Sequence, residues 1–204
     1  MPAFAIPRRA AATIYRPMAE PSFTLRTPDD DSVARRICDS CGYVAYENPK
    51  IVVGSVVRHD DRILLCRRAI EPRRGFWTIP AGYLELNETP EDGARREAME
   101  EAEAALVIER LLAVYSVPRI SQVQLIYRAR LATGHVAAGP ESLEVRLFDP
   151  AEIPRDELAF PSVHWALAHD EEARAGAPPV PFGNPAGESG NRMPDGRSIA
   201  PGEE

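Results

Sequence analysis

The chain has little cysteine, three residues in 204. An odd count cannot close a disulfide framework, so the expectation is a protein of a reducing, cytoplasmic compartment. It has no apolar run approaching the ~20 residues that cross a bilayer, and no secretory apolar segment near its start. Positive charge is also in deficit. The formal net charge of -7 argues against a general nucleic-acid binder or a protein of anionic membrane surfaces. No internal repeat is apparent. The length leaves room for one domain of ordinary size with appendages.

What is present is an unusual acidic turn. Arg96-Glu97-Ala98-Met99-Glu100-Glu101 places three carboxylates on one turn of a predicted helix, within about a third of its circumference at ~3.6 residues per turn. Like charges at that spacing repel by roughly 0.2–0.5 kcal/mol per pair. A hard divalent cation, which prefers oxygen ligands, converts that repulsion into binding. The ordinary alternative is a solvated acidic face. Thr89-Pro90-Glu91-Asp92 supplies the start of such a helix: a capping hydroxyl, a proline at the first helical position, and acids at the positive end of the helix dipole. Ala94, Ala98, Ala102 and Ala105 form a small-residue stripe on the other face, suited to close packing on a sheet.

Along the chain, residues 1–32 are expected to lack fixed structure. Arg8, Arg9 and Arg16 precede the first acid, Glu20, faintly in the manner of a mitochondrial transit peptide, but a loose tail is the preferred reading. Residues 33–50 form a small module around Cys38-Asp-Ser-Cys41-Gly42. Ile51–Val57 and Arg62–Cys66 read as a hairpin. Leu106–Val117, Gln122–Leu131 and Ser142–Phe148 read as further strands, and His164–Ala173 as a closing helix. The main domain is taken as residues 51–172. The Gly- and Pro-rich stretch 173–204 is expected to be disordered. The class is α/β, a mixed sheet flanked by helices and preceded by a small ribbon-like hairpin.

A zinc ribbon takes four ligands, commonly from two knuckles. Cys38 and Cys41 make one knuckle, while residues 1–37 contain neither Cys nor His. The module therefore reads as a degenerate ribbon, with Zn²⁺ not expected to be held by two thiolates alone. Cys66 reads as a small buried hydrophobe within a strand.

Gly82, five residues, Glu88, seven residues, then Arg96-Glu97-Ala98-x-Glu100-Glu101 is similar to the signature of the Nudix hydrolases, which usually continues with a Gly where this chain has Glu103. The knuckle leading through Tyr46-x-Asn48-Pro49-Lys50, the run Trp77–Glu85, the run Gly139–Phe148, and Glu152–Phe160 resemble the ADP-ribose/FAD pyrophosphatases of bacteria and plant plastids. The resemblance covers roughly residues 35–168. It implies a Nudix α/β/α sandwich. It further implies Mg²⁺ or Mn²⁺ on Glu97, Glu100 and Glu101, with a backbone carbonyl from Ala81 or Gly82, and an orienting Glu88–Arg96 pair. A general base from Glu141 or Glu144 and frequent homodimers follow as well. Arg67, Arg68, Arg73 and Arg74 could approach phosphates, Arg68 and Arg74 foremost, and Tyr83, Phe76 or Tyr127 could stack on a base. The implied reaction is hydrolysis of a small nucleotide substrate, ADP-ribose or FAD, to AMP. NADH pyrophosphatase is an alternative, weakened because Tyr115–Gln122 lacks that group's proline-rich aromatic segment. A non-catalytic ADP-ribose sensor is the other. The Glu103 replacement leaves the helix exit open.

Overall fold

The computed structural model describes residues 21–199, so the expected loose tail at 1–20 and the last five residues lie outside the described part. The chain divides into two compact units between Asn48 and Pro49. In the first, strands β1 (Phe23–Arg26), β2 (Arg35–Cys38) and β3 (Val44–Ala45) form an antiparallel sheet in that order. The pairing of Phe23 with Cys38 and of Arg26 with Arg35 corrects, for residues 23–26, the expectation that residues 1–32 lack fixed structure. Cys38 closes the knuckle turn: its N–H donates to the Tyr43 carbonyl and its carbonyl accepts from Gly42, at 2.8 and 2.9 Å.

The second unit is built on a seven-stranded mixed sheet. Strands β4 (Lys50–His59) and β5 (Arg62–Arg68) meet as the expected hairpin through a two-residue turn, with Arg58 opposite Ile63 and His59 opposite Arg62. The sheet order is β10 (Ser142–Phe148), β5, β4, β9 (Gln122–Leu131), β8 (Leu106–Val117), with β4 and β9 parallel. Short strands β6 (Trp77–Thr78) and β7 (Ala81–Tyr83) add to β5 and β4. Along β4 and β5 successive residues are buried without alternation, because both faces are covered. Val56, Ile63 and Leu65 pack with Trp165, Ala166 and Leu167 of helix α2 (Pro161–Arg174), while Val57, Leu64 and Cys66 pack with Ala98 and Ala102 of helix α1 (Pro90–Ala102). The result is an α/β/α sandwich.

Helix α1 begins as its sequence dictates, with the Thr89 hydroxyl accepting the Asp92 N–H at 3.2 Å and Pro90 at its first position. Ala94, Ala98 and Ala102 are fully buried, but Ala105 lies past the helix end and Ala104 takes its place in the core. Glu103 itself adopts the left-handed conformation (φ 47°) where the motif usually has Gly, and its N–H donates to the Met99 carbonyl at 3.0 Å. The helix exit is thus preserved, at a cost in backbone strain of about 1–2 kcal/mol. Helix α2 is tied to the sheet by a fully buried carboxylate, Asp170, which accepts from Arg58 Nε at 2.6 Å.

Residues 175–199, beyond α2, are ordered, contrary to the reading of their composition; the rest of that stretch lies outside the described residues. Phe182 bridges to Ala113 on the β8 edge, and Met193 and Ile199 are buried. Among the described residues no helix is long and apolar enough to cross a membrane.

Candidate active site

Strand β7, the loop after it and helix α1 form one mount. Pairing of Val53 with Gly82 and of Gly54 with Ala81 fixes the strand; Thr89 and Pro90 fix the helix start. At Gly82 the helix comes so near that an added Cβ would overlap the Glu97 carboxylate. A side chain at Gly82 would therefore displace the Glu97 carboxylate from its place in the site, whereas the Gly82 backbone itself lies in strand β7.

Arg96 organises the acids. Its Nε and Nη2 hold Glu88 at 3.1 and 2.8 Å, a bidentate fork suited to a carboxylate. Nη2 also donates to the Tyr83 carbonyl at 3.0 Å. Glu88 further accepts the Glu85 N–H at 2.7 Å, so the loop from β7 is clasped to the helix. These hydrogen bonds, Arg96 first, hold the Glu88 carboxyl below the usual range. The remaining Arg96 nitrogen, Nη1, donates to Glu97 at 2.7 Å and to Glu100 at 3.0 Å.

Glu97 and Glu101 are buried, 9% and 7% exposed, while Glu100 is exposed. Burial pushes the Glu101 carboxyl up to about 8; the Glu97 charge adds to this, and the Ala81 N–H (3.4 Å) and Arg68 oppose it. Burial likewise raises Glu97, with Arg96 opposing and Glu100 and Glu141 adding. Two buried carboxyls side by side, both raised by desolvation, form a site short of positive charge. Among the described residues no three His, Cys, Asp or Glu side chains converge on a common point; Arg96 Nη1 occupies the position between Glu97 and Glu100. The donor chemistry, all oxygen and acidic, fits a hard divalent cation. In the first unit Cys41 is exposed, Cys38 is buried against Ser40 (Sγ to Oγ 3.1 Å), and among the described residues no third ligand joins them.

Glu141 is brought in by the loop before β10, which lies against the end of α1. Ala137 N–H donates to the Ala102 carbonyl at 2.9 Å and Gly139 N–H to the Glu101 carbonyl at 3.1 Å. A Cβ on Gly139 would overlap the Glu100 carbonyl oxygen, so this approach requires glycine. Glu141 lines the same cavity as Glu97, Glu100 and Glu101, about 670 Å³ in volume. Of the two expected base candidates, Glu144 is not there: it is exposed on β10, 3.8 Å from Arg67. Ala81 and Gly82 line the cavity; what meets Glu101 is the Ala81 N–H.

Of the expected cationic residues, Arg68 lines the cavity, its guanidinium 5.2 Å from the Phe160 ring, and feels Glu101 and Glu141. Arg74 is exposed and stands outside. Arg67 and Arg73 are committed to the Gly75 and Ala159 carbonyls at 2.8 and 3.1 Å. Tyr83 is half-exposed in the cavity wall, whereas Tyr127 is core and Phe76 lies under Arg73. The sequence reading missed Phe160, Gln122 and Gln124, which line the cavity together with the apolar Val117, Ile120 and Val163. Gln124 donates to Gln122 and Gln122 to the Tyr83 hydroxyl, each at 3.3 Å. Their outward facing on a strand end carries no motif.

Comparison with known proteins bears directly on this arrangement. A family model described as NUDIX domain matches residues 48–167, and one described as Nudix N-terminal, a zinc-ribbon model, matches residues 20–47. An ADP-ribose pyrophosphatase of Methanocaldococcus jannaschii is 31% identical over 122 residues, 58% of this chain and 71% of that protein. An NAD-capped RNA hydrolase NudC of Edwardsiella ictaluri is 32% identical over 111 residues, 53% of this chain but only 42% of its own length. The crystal structure of a NUDIX hydrolase from Nitrosomonas europaea superposes with a TM-score of 0.75 at 46% identity, covering 79% of this chain and 92% of that one.

Proposed function

The chain belongs to the Nudix hydrolases, and from that premise we propose that it cleaves the pyrophosphate bond of a nucleoside diphosphate derivative, ADP-ribose or FAD, releasing AMP. The observation that supports this best is the cavity itself. Glu97, Glu100, Glu101, Glu141 and Arg68 share it with an apolar wall of Val117, Ile120 and Phe160. Such a site takes a ligand with a charged end and a hydrophobic one. The similarity to an ADP-ribose pyrophosphatase agrees with that substrate class.

Glu97, Glu100 and Glu101 would hold Mg²⁺ or Mn²⁺, with the Ala81 carbonyl as a further oxygen. When bound, the cation neutralises phosphate charge and activates water. For this, Glu97 and Glu100 must leave Arg96 Nη1, while the Glu88 clasp keeps the guanidinium in place. Glu101 gives up a proton on loading, since burial otherwise holds it partly neutral near pH 8. Glu141 accepts the proton of the attacking water, and Arg68 orients a phosphate oxygen through charge-assisted hydrogen bonds.

A second substrate, NADH or an NAD-type end, is favoured by the similarity to NudC. AMP release from ADP-ribose, FAD and NADH under Mg²⁺, compared with Glu101→Gln, tests the reading. Selective release that the variant abolishes supports it. Tight ADP-ribose binding without turnover makes the chain a sensor instead.

A further inference from the structure

Residues 181–199 lie outside the span matched by the family model, 48–167, yet one of them, Gly190, lines the cavity. Strand β8 is the sheet edge, and an open edge offers unpaired amides. Phe182 fills part of it: its N–H donates to the Leu112 carbonyl and its carbonyl accepts the Val114 N–H, both at 2.9 Å. Asn184 continues the ladder with its side chain. Its Oδ1 accepts the Ser116 N–H at 2.8 Å, and its Nδ2 donates to the Ser116 and Glu188 carbonyls at 2.8 and 3.0 Å. The Phe182 ring stacks on His169 at 4.3 Å. Further on, Arg192 pairs with Ser198 in a small hairpin whose Met193 and Ile199 are buried.

Between these two anchorages the chain passes the cavity. Gly190 is buried against the Val117 side chain and lines the cavity with Ile120 and Val163. That wall carries no charge. Phosphates are matched by Arg68 and the cation-seeking acids, so the uncharged, nucleoside part of a ligand is left to pack on the wall.

We propose that residues 182–192 are a specificity strap: stapled to β8 by Phe182 and Asn184, they fix the wall on which the nucleoside part of the substrate packs and so determine which nucleoside diphosphate derivatives are accepted. The inference rests on the dinucleotide-hydrolase reading above. It goes beyond that reading by assigning substrate choice to a segment of this chain that the family model does not cover.

Two measurements on the full chain decide it. Amide hydrogen exchange is followed in Glu101→Gln with Mg²⁺, with and without saturating ADP-ribose. Separately, Asn184→Ala, which releases the staple without touching the cavity, is assayed on ADP-ribose, FAD and NADH. Ligand-dependent protection across 182–192 is expected. So is a KM for the preferred substrate raised at least fivefold, with kcat changed less than threefold and the preference among the three substrates narrowed. Protection of α1 and the 139–141 loop without 182–192 overturns the strap and leaves the hydrolase reading standing. A parallel fall of kcat on all substrates, or an unchanged KM, also overturns it, as either outcome marks an element that only supports the fold. Absence of protection anywhere together with absence of turnover overturns strap and hydrolase reading alike.

Discussion

Replacing Gly139 by alanine separates the role of the loop before β10 from that of its acid. A Cβ at this position overlaps the Glu100 carbonyl oxygen, a main-chain atom within α1 that no side-chain rotation can move. The loop must lift. Lifting it breaks the hydrogen bonds from Ala137 to Ala102 (2.9 Å) and from Gly139 to Glu101 (3.1 Å). At about 1 kcal/mol net for each, the loss is about 2 kcal/mol, which lowers Tm by about 4–8 °C for a chain of this size. Glu141, two residues on, leaves the cavity with the loop, so kcat for AMP release should fall by about 10²-fold or more, the low end of the range of about 10²–10⁴ that a positioned base contributes. Glu141→Gln is the companion variant: it should lower kcat comparably and leave Tm within about 2 °C, because it breaks no main-chain bond. Thermal denaturation and steady-state AMP release on both proteins give the answer. A Gly139→Ala protein with unchanged Tm and kcat would refute the claim that this close approach carries Glu141 into the site.

Other perturbations have definite signs. Glu101 keeps its proton in the fold up to about pH 8, whereas its ordinary value is 4.5. The folded state therefore binds more protons across that window, and the metal-free protein should lose stability as pH rises through it, by at most about 5 kcal/mol. Glu101→Gln should flatten the dependence of Tm on pH, and saturating Mg²⁺ should raise Tm most at the alkaline end. Asp170→Ala strands the buried Arg58 guanidinium and should cost about 3–5 kcal/mol in urea denaturation. Glu103→Gly relieves the left-handed strain at φ 47° while losing only an exposed contact to His135 at 3.2 Å. It should stabilise by about 0.5–1 kcal/mol and leave turnover nearly unchanged.

Local chemistry made much of this legible before any coordinates. Thr89 and Pro90 start a helix wherever they stand before an amphipathic run, and the unbroken apolar stretches of β4 and β5 announce a sheet covered on both faces. Long-range contacts were not legible. Residues 23–26 and 182–199 read as loose because their composition is polar or rich in Gly and Pro. They are ordered by pairing to β2 and to the β8 edge, partners that local sequence does not reveal. Glu141 and Glu144 are equivalent by composition; only the clasp of Gly139 on α1 turns one toward the cavity while the other faces Arg67 on the sheet. Arg68 and Arg74 likewise differ only in where the loop between β5 and β6 folds. Gln122 and Gln124 carry no motif, and they reach the cavity through the order of the sheet, while Phe160 reaches it from the start of α2.

The central claim is that the carboxylates around Arg96 form a metal-dependent pyrophosphatase centre. Its most direct test is AMP release from ADP-ribose by the purified chain, with Mg²⁺ and with the metal chelated, alongside Glu101→Gln. Turnover that requires the metal and falls by at least a hundredfold in the variant, about 2.7 kcal/mol of transition-state stabilisation, is the predicted result. Turnover that persists in Glu101→Gln, or that survives chelation, would contradict it.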